Sequence, residues 1–172
     1  TNGNTSAFSV NSAEGSIVVS NVNDAPTGVG DLTLASINQG TTSPAGALIN
    51  ALTSYSFQDV DTGATNPSIL VVGNTADSVT QGAWQYTSDG TNWVDIGVVA
   101  DDATALALAV TTQVRFVPIT SFNGTPTALS VRALDDYYVA AFSTTTGGTE
   151  TRVNADSSAN GTTTAISSNL NT

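Results

Sequence analysis

The chain has 172 residues, 40% of them apolar and only 10% charged, with fourteen Asp and Glu against three Arg and no Lys, a net charge of −11. That balance excludes nucleic acid and anionic membrane as partners, which need cationic patches, and favours cations. The absence of Cys and His removes disulfide and thiolate chemistry, the usual zinc ligand and the usual general base near neutral pH.

In chain order, the first feature is a duplication. Asn2-Gly3-Asn4-Thr5-Ser6-Ala7-Phe8-Ser9-Val10-Asn11 returns as Asn160-Gly161-Thr162-Thr163-Thr164-Ala165-Ile166-Ser167-Ser168-Asn169, identical at six of ten positions and offset by 158 residues. That offset is the length of a domain, so the chain reads as one period of a tandem array cut in mid-domain. The first copy runs on into Ser16-Ile17-Val18-Val19-Ser20, and the counterpart of that apolar run falls, by phase, after Thr172. We therefore expect Ile17, Val18 and Val19 to pair outside their own sandwich, against a neighbouring copy, by strand addition. The alternative is a strand folded back on its own body.

Val22-Asn23-Asp24-Ala25-Pro26-Thr27 marks the junction, because Pro26 fixes its own φ and holds Ala25 extended. Residues 1–26 are read as a strand segment and linker, and 27–172 as a β-sandwich domain. Alternating β-branched or aromatic residues predict strands at 6–10, 15–22, 31–37, 54–60, 68–73, 83–88, 92–98, 112–118, 127–134 and 139–144. Turn residues separate them, and the spacing is that of an all-β antiparallel sandwich. Phe57, Trp84 and Phe116 are expected in or beside its core. Pro44 to Leu52 and the stretch from Asp101 to Leu108, an acidic cap before good helix formers, are the candidate helical turns. The clearest hairpin runs from Ala83 to Val94 around Asp89-Gly90. Its aromatics, Trp84, Tyr86 and Trp93, are core or cross-strand residues, with a sugar-stacking platform as the alternative. Ser143 to Asn160 is Thr/Ser/Gly-rich and reads as a mobile loop.

The acids cluster. Asn23 and Asp24 lie at the junction, Asp59 and Asp61 close one predicted strand, and Asp135 and Asp136 end another. Acids gathered without basic partners can surround a hard cation such as Ca²⁺ with six to eight oxygens, and these six residues are the candidate ligands. Arg115 and Arg132 sit in apolar strands, each expected to pair with an Asp, with a ligand carboxylate as the alternative partner. Catalysis has little to stand on: a Ser nucleophile lacks a His or Lys base, and no Asp pair is marked out as an acid–base couple.

The junction resembles the Val-Asn-Asp-Ala-Pro linker of cadherin-like and immunoglobulin-like tandem domains in giant bacterial surface proteins. Gly82 to Trp93, Val114-Arg115-Phe116-Val117-Pro118, Phe122-Asn123-Gly124 and Ser130 to Asp135 together resemble a module of the large repetitive adhesins that Gram-negative bacteria secrete by the type I route. Some of those modules are calcium-dependent peptide-binding domains. The resemblance covers residues 15–135 and implies a Greek-key sandwich, a position outside the cell on the bacterial surface, calcium and tandem assembly. It brings no peptide-binding residue that can be matched in this chain. Two functions follow: a structural repeat of a fibre or stalk, or a peptide- or glycan-binding adhesin module.

Overall fold

The computed structural model of the protein describes residues 3–65 and 68–172. Thr1 and Asn2, the start of the duplicated segment, lie outside them. Among the described residues all regular structure is strand, apart from one 3-10 turn at Ile49–Ala51. One sheet has the order β1 (Ala47–Leu48), β6 (Gln113–Pro118), β3 (Gly82–Thr87), β4 (Val94–Asp95); the other has β10 (Asn154–Ala155), β5 (Ala105–Ala109), β2 (Ser68–Asn74), β7 (Leu129–Leu134). A small ribbon joins β8 (Thr144–Thr146) to β9 (Thr149–Thr151), and every pairing is antiparallel. The fold is thus the all-β antiparallel sandwich that the alternation predicts. β2–β5 and β3–β6 form its centre, as the B–E and C–F pairs do in an immunoglobulin-like Greek key. The flanks are exchanged: β1 lies beside β6, where such a fold places its last strand, and β7 lies beside β2, where it places its first.

The second sheet is buried on both faces. Ile69, Val71, Leu106 and Leu108 face the first sheet, with Tyr86, Ile96 and Val114 opposite. Leu70, Val72, Ala105 and Ala107 point the other way, beneath Ile166, Tyr138, Phe142 and Val153. This is why the Ala/Leu run forms a strand and not the expected helical turn. It is apolar on both faces, as a central strand requires. Asp102 caps no helix; its carboxylate takes the amide and hydroxyl of Thr104 at 2.7 Å each and turns the chain into β5. Burying one such Leu removes about 1.5–3 kcal/mol of apolar exposure.

Of the other predicted strands, 6–10 is a turn, and 15–22 is exposed and unpaired. Residues 31–37 and 54–60 hold single bridges at Thr33↔Thr53 and Gly28↔Gln58, and 92–98 shortens to β4. The strand expected at 139–144 starts only at Thr144. The polar stretch from Ser143 is ordered, because the fully buried Thr145 hydroxyl meets Thr87 Oγ1 at 3.2 Å and accepts Ser88 N–H at 3.0 Å. At the hairpin tip Asp89 accepts the amides of Thr91 and Asn92 at 2.9 and 2.8 Å, which holds its carboxyl below the usual range. Trp84 sits edge-on to Phe116 at 5.2 Å, and Trp93 lies under Arg115 at 4.1 Å.

Candidate functional site

Three features stand out as candidate sites: an arm, the junction that roots it, and a groove. The arm is residues 3–22. Ile17, Val18 and Val19 are 87%, 89% and 85% exposed, and Phe8, Val10 and Val22 are exposed as well. Apolar side chains are costly to leave in water, and a row of them on unpaired backbone is a template for pairing.

The junction begins where the arm meets the body. Asn23, 6% exposed, donates its amide to Asp135 Oδ2 at 3.0 Å and to the Thr164 carbonyl at 3.1 Å. Ala25 N–H donates to Thr162 O at 2.7 Å, and Thr27 N–H to Gln58 O at 2.9 Å. Asp61 accepts the Asn21 amide at 2.9 Å and the Asp24 N–H at 2.8 Å, which lowers its pKa. Asp135 is fully buried, and burial pushes its carboxyl up, with the charges of Asp59 and Asp136 adding to the shift. Asp59 spends one oxygen on the Asp61 amide at 2.8 Å; its other oxygen is buried without a hydrogen-bond partner. Asp136 accepts Thr65 N–H at 3.2 Å.

The six candidate ligands therefore gather at one junction but divide in role. Asn23, Asp24 and Asp61 hold the chain entry through hydrogen bonds, with Asp135 as the acceptor of the Asn23 amide, whereas the charges of Asp59 and Asp136 act against that of Asp135. Among the described residues no three acidic side chains converge as a ready-made cation cage. The buried, unpartnered Asp59 oxygen beside the buried Asp135 carboxylate nevertheless has the chemistry a hard cation takes. An open hollow of about 500 Å³, lined by Phe57, Asp59 and Asp61, lies alongside.

The arginines are accounted for: Arg152 pairs with Glu150 at 3.2 Å and donates to Ile96 O at 2.8 Å. Arg132 pairs with Asp101 through Nε at 2.9 Å, and its Nη1 donates to the carbonyls of Ser167 and Ser168 at 2.9 and 2.6 Å, which fixes the last segment of the chain onto β7. Arg115 does not pair with an Asp. It donates to Gln85 at 2.9 Å and the Pro44 carbonyl at 3.2 Å while stacking on Trp93.

The groove was not legible in the sequence. It measures about 710 Å³ and is lined by three segments, 31–37, 44–47 and 124–126 with Ala128, together with Trp84, Arg115 and Phe116. A void of about 60 Å³ continues from it between Leu34, Ile49, Ile69 and Trp84 into the main core.

The duplicated segments share their local structure. Gly3 N–H donates to Phe8 O and Gly161 N–H to Ile166 O, each at 2.7 Å. Ser6 N–H bonds Gly3 O at 3.0 Å and Thr164 N–H bonds Gly161 O at 3.1 Å. Asn11 and Asn169 amides each reach a serine hydroxyl two residues back at 3.0 Å. Asn4 and Thr162 both adopt the left-handed region, with φ 51° and 54°. The second copy is built into the body, where Ile166 is buried and bridges Leu134; the first copy stands free.

Fold and site together define an all-β antiparallel sandwich bearing an exposed apolar arm and an acidic junction. No family model matches the chain, and no curated protein or solved structure is detectably similar to it. No helix among the described residues is long and apolar enough to cross a membrane.

Proposed function

We propose that the chain is an extracellular structural repeat of a bacterial surface fibre, stalk or filament, stabilised by calcium and assembled head-to-tail with copies of itself. The observation that carries this reading is the pair of segments with one sequence pattern and one hydrogen-bond pattern, free at the front of the chain and integrated at its back. A unit that offers outside its fold what its fold already holds once is built to meet the next unit. Such a contact joins unlike surfaces and does not close on itself.

Calcium enters through the junction. The buried Asp59 oxygen and the Asp135 carboxylate would supply ligands to it where the arm leaves the body, with the rest of its six to eight oxygens coming from carbonyls and water. That would set the angle of arm to body without any catalytic role, and the proposed role is not enzymatic. The low charge, the polar Ser/Thr/Asn surface and the net −11 fit a protein exposed outside the cell. The competing reading is a peptide- or glycan-binding adhesin module, for which the hollow beside Phe57 and Asp59 is the observation in favour.

The test is light scattering and electron microscopy of the full chain with millimolar calcium and with chelator. Growth into extended particles with calcium is expected. A chain that stays monomeric at high concentration in both conditions contradicts the proposal.

A further inference from the structure

In an Asn-Gly pair the glycine nitrogen can attack the side-chain carbonyl carbon of the asparagine, because no Cβ shields it. The attack closes a five-membered ring and costs the asparagine its amide. The sequence holds three such pairs, Asn2-Gly3, Asn123-Gly124 and Asn160-Gly161. The fold treats them differently, since a backbone N–H that already donates must first be released by local opening.

Two of the three are held. Gly3 N–H donates to Phe8 O and Gly161 N–H to Ile166 O, each at 2.7 Å. In the later pair the asparagine is held as well, since Asn160 Nδ2 donates to Ser157 O at 2.8 Å. Gly161 is buried, and Ser168 Cβ lies 3.1 Å from where a Cβ of its own would sit. Opening this pair means lifting the segment that seats Ile166 against Leu70, Val72 and Leu134.

Asn123-Gly124 is not held. Among the described residues neither the Asn123 side chain nor the Gly124 N–H has a hydrogen-bond partner. Both residues are exposed, and no atom lies within 4 Å of the Gly124 Cβ position. Gly124 takes a φ of 118°, in the region that favours glycine. The loop is nevertheless tied down on each side. Phe122 N–H donates to Ile119 O at 3.1 Å, and its ring meets Phe116 edge-on at 6.1 Å. Thr127 donates its N–H to Gln81 Oε1 at 3.1 Å and accepts Trp84 Nε1–H at 2.9 Å. The free stretch is therefore 123–126, between two fixed ends.

We infer that Asn123 is a site of spontaneous covalent modification in the folded protein, converted to aspartate and isoaspartate through a succinimide with Gly124. The Gly124 nitrogen forms a bond to Asn123 Cγ, and the Cγ–Nδ2 bond breaks. Nδ2 leaves as ammonia, taking the proton of the Gly124 amide. Water then adds to one of the two ring carbonyls. Opening at Cγ restores the ordinary chain with an aspartate. Opening at the Asn123 backbone carbonyl gives isoaspartate, whose main chain runs through the side-chain carbon. Either product adds one negative charge to the net −11. The charge falls at the rim shared by the groove, which Gly124 lines, and a hollow of about 150 Å³ lined by Asn123, Ile37, Phe116 and Phe122. A carboxylate there opposes burial of this rim by an apolar partner. Isoaspartate also lengthens the loop by one backbone carbon between its fixed ends.

The test incubates the full chain in mildly alkaline heavy-oxygen water, folded and in parallel in guanidinium chloride, with peptide mapping by mass spectrometry over time. In the folded chain Asn123 should convert at least about tenfold faster than Asn160, where two hydrogen bonds have to open first. Each product should carry one heavy oxygen, and isoaspartate, read by an isoaspartyl methyltransferase assay, should form alongside aspartate. In denaturant the difference between the three pairs should vanish, because all share the same chemistry. Asn123→Gln requires a larger ring, so it should stop conversion at this position and leave the circular dichroism unchanged. Asn160 keeping pace with Asn123 in the folded chain would overturn the inference. So would an Asn123 that reacts in denaturant but not when folded, or that reacts in neither. Aspartate formed without isoaspartate would overturn the ring and indicate direct hydrolysis of the amide.

Discussion

Asn23→Ala tests how the arm is rooted. The side chain is almost fully buried, and its single amide group serves both the Asp135 carboxylate at 3.0 Å and the Thr164 carbonyl at 3.1 Å. A bond to a charged acceptor contributes about 1.5–3 kcal/mol, and a buried acceptor left without its donor costs about 1–3 kcal/mol. These figures overlap, so the expected loss is about 3 kcal/mol, or about 6–12 °C in melting temperature for a domain of this size. Asn21→Ala is the control. It removes an exposed bond to Asp61 and is expected to cost under about 1 kcal/mol. Thermal and urea melts of both variants, with Asp135→Asn alone and combined with Asn23→Ala, close a double-mutant cycle. A coupling of at least about 1.5 kcal/mol between positions 23 and 135 is expected. Additive effects, or an Asn23→Ala loss no larger than that of Asn21→Ala, would refute the reasoning.

Burial raises the Asp135 pKa, so the folded state holds that proton more tightly than the unfolded chain. In the absence of calcium its contribution therefore favours the fold below about pH 4, the unfolded value, and is lost as pH rises through the raised folded pKa. The melting-temperature gap between wild type and Asp135→Asn should move in the variant's favour from about pH 4 upward, and calcium should reverse that trend; a gap independent of pH would contradict it. Chelation should lower the melting temperature of the wild type by about 5–10 °C from saturating calcium, as for any ligand bound only by the folded state at about 100 times its Kd; isothermal titration showing no calcium binding would remove this expectation. Asp101→Asn weakens the partner of Arg132 and should cost about 1–2 kcal/mol, discounted for the partial exposure of the Asp101 carboxylate. An unchanged urea midpoint would show that the pair does not hold the last segment onto β7.

The centre of the sandwich was readable because its strands alternate or are wholly apolar. β2, β3, β6 and β7 fall within a residue or two of their predicted spans. The Asp101 to Leu108 stretch misled because an acidic cap before Ala and Leu fits either a helix start or a turn into a buried strand; only burial on both faces decides. The Thr145 hairpin escaped notice because buried hydroxyl networks leave no trace in hydropathy. At the junction, composition brought six residues to one place, but the split between latch and repelling acids depends on which oxygens already have donors. The groove is lined by three segments far apart in sequence, 31–37, 44–47 and 124–128, so no local pattern marks it. The arm was visible as an apolar run, but the strand expected over 15–22 is exposed and unpaired.

The most direct measurement of the central claim is electron cryomicroscopy of the calcium-assembled chain. The account predicts a filament with one domain per axial step in which the apolar arm, Ile17 to Val19, is covered by the adjacent subunit. Density in which the arm folds back onto its own subunit, or stays exposed to solvent, would contradict it.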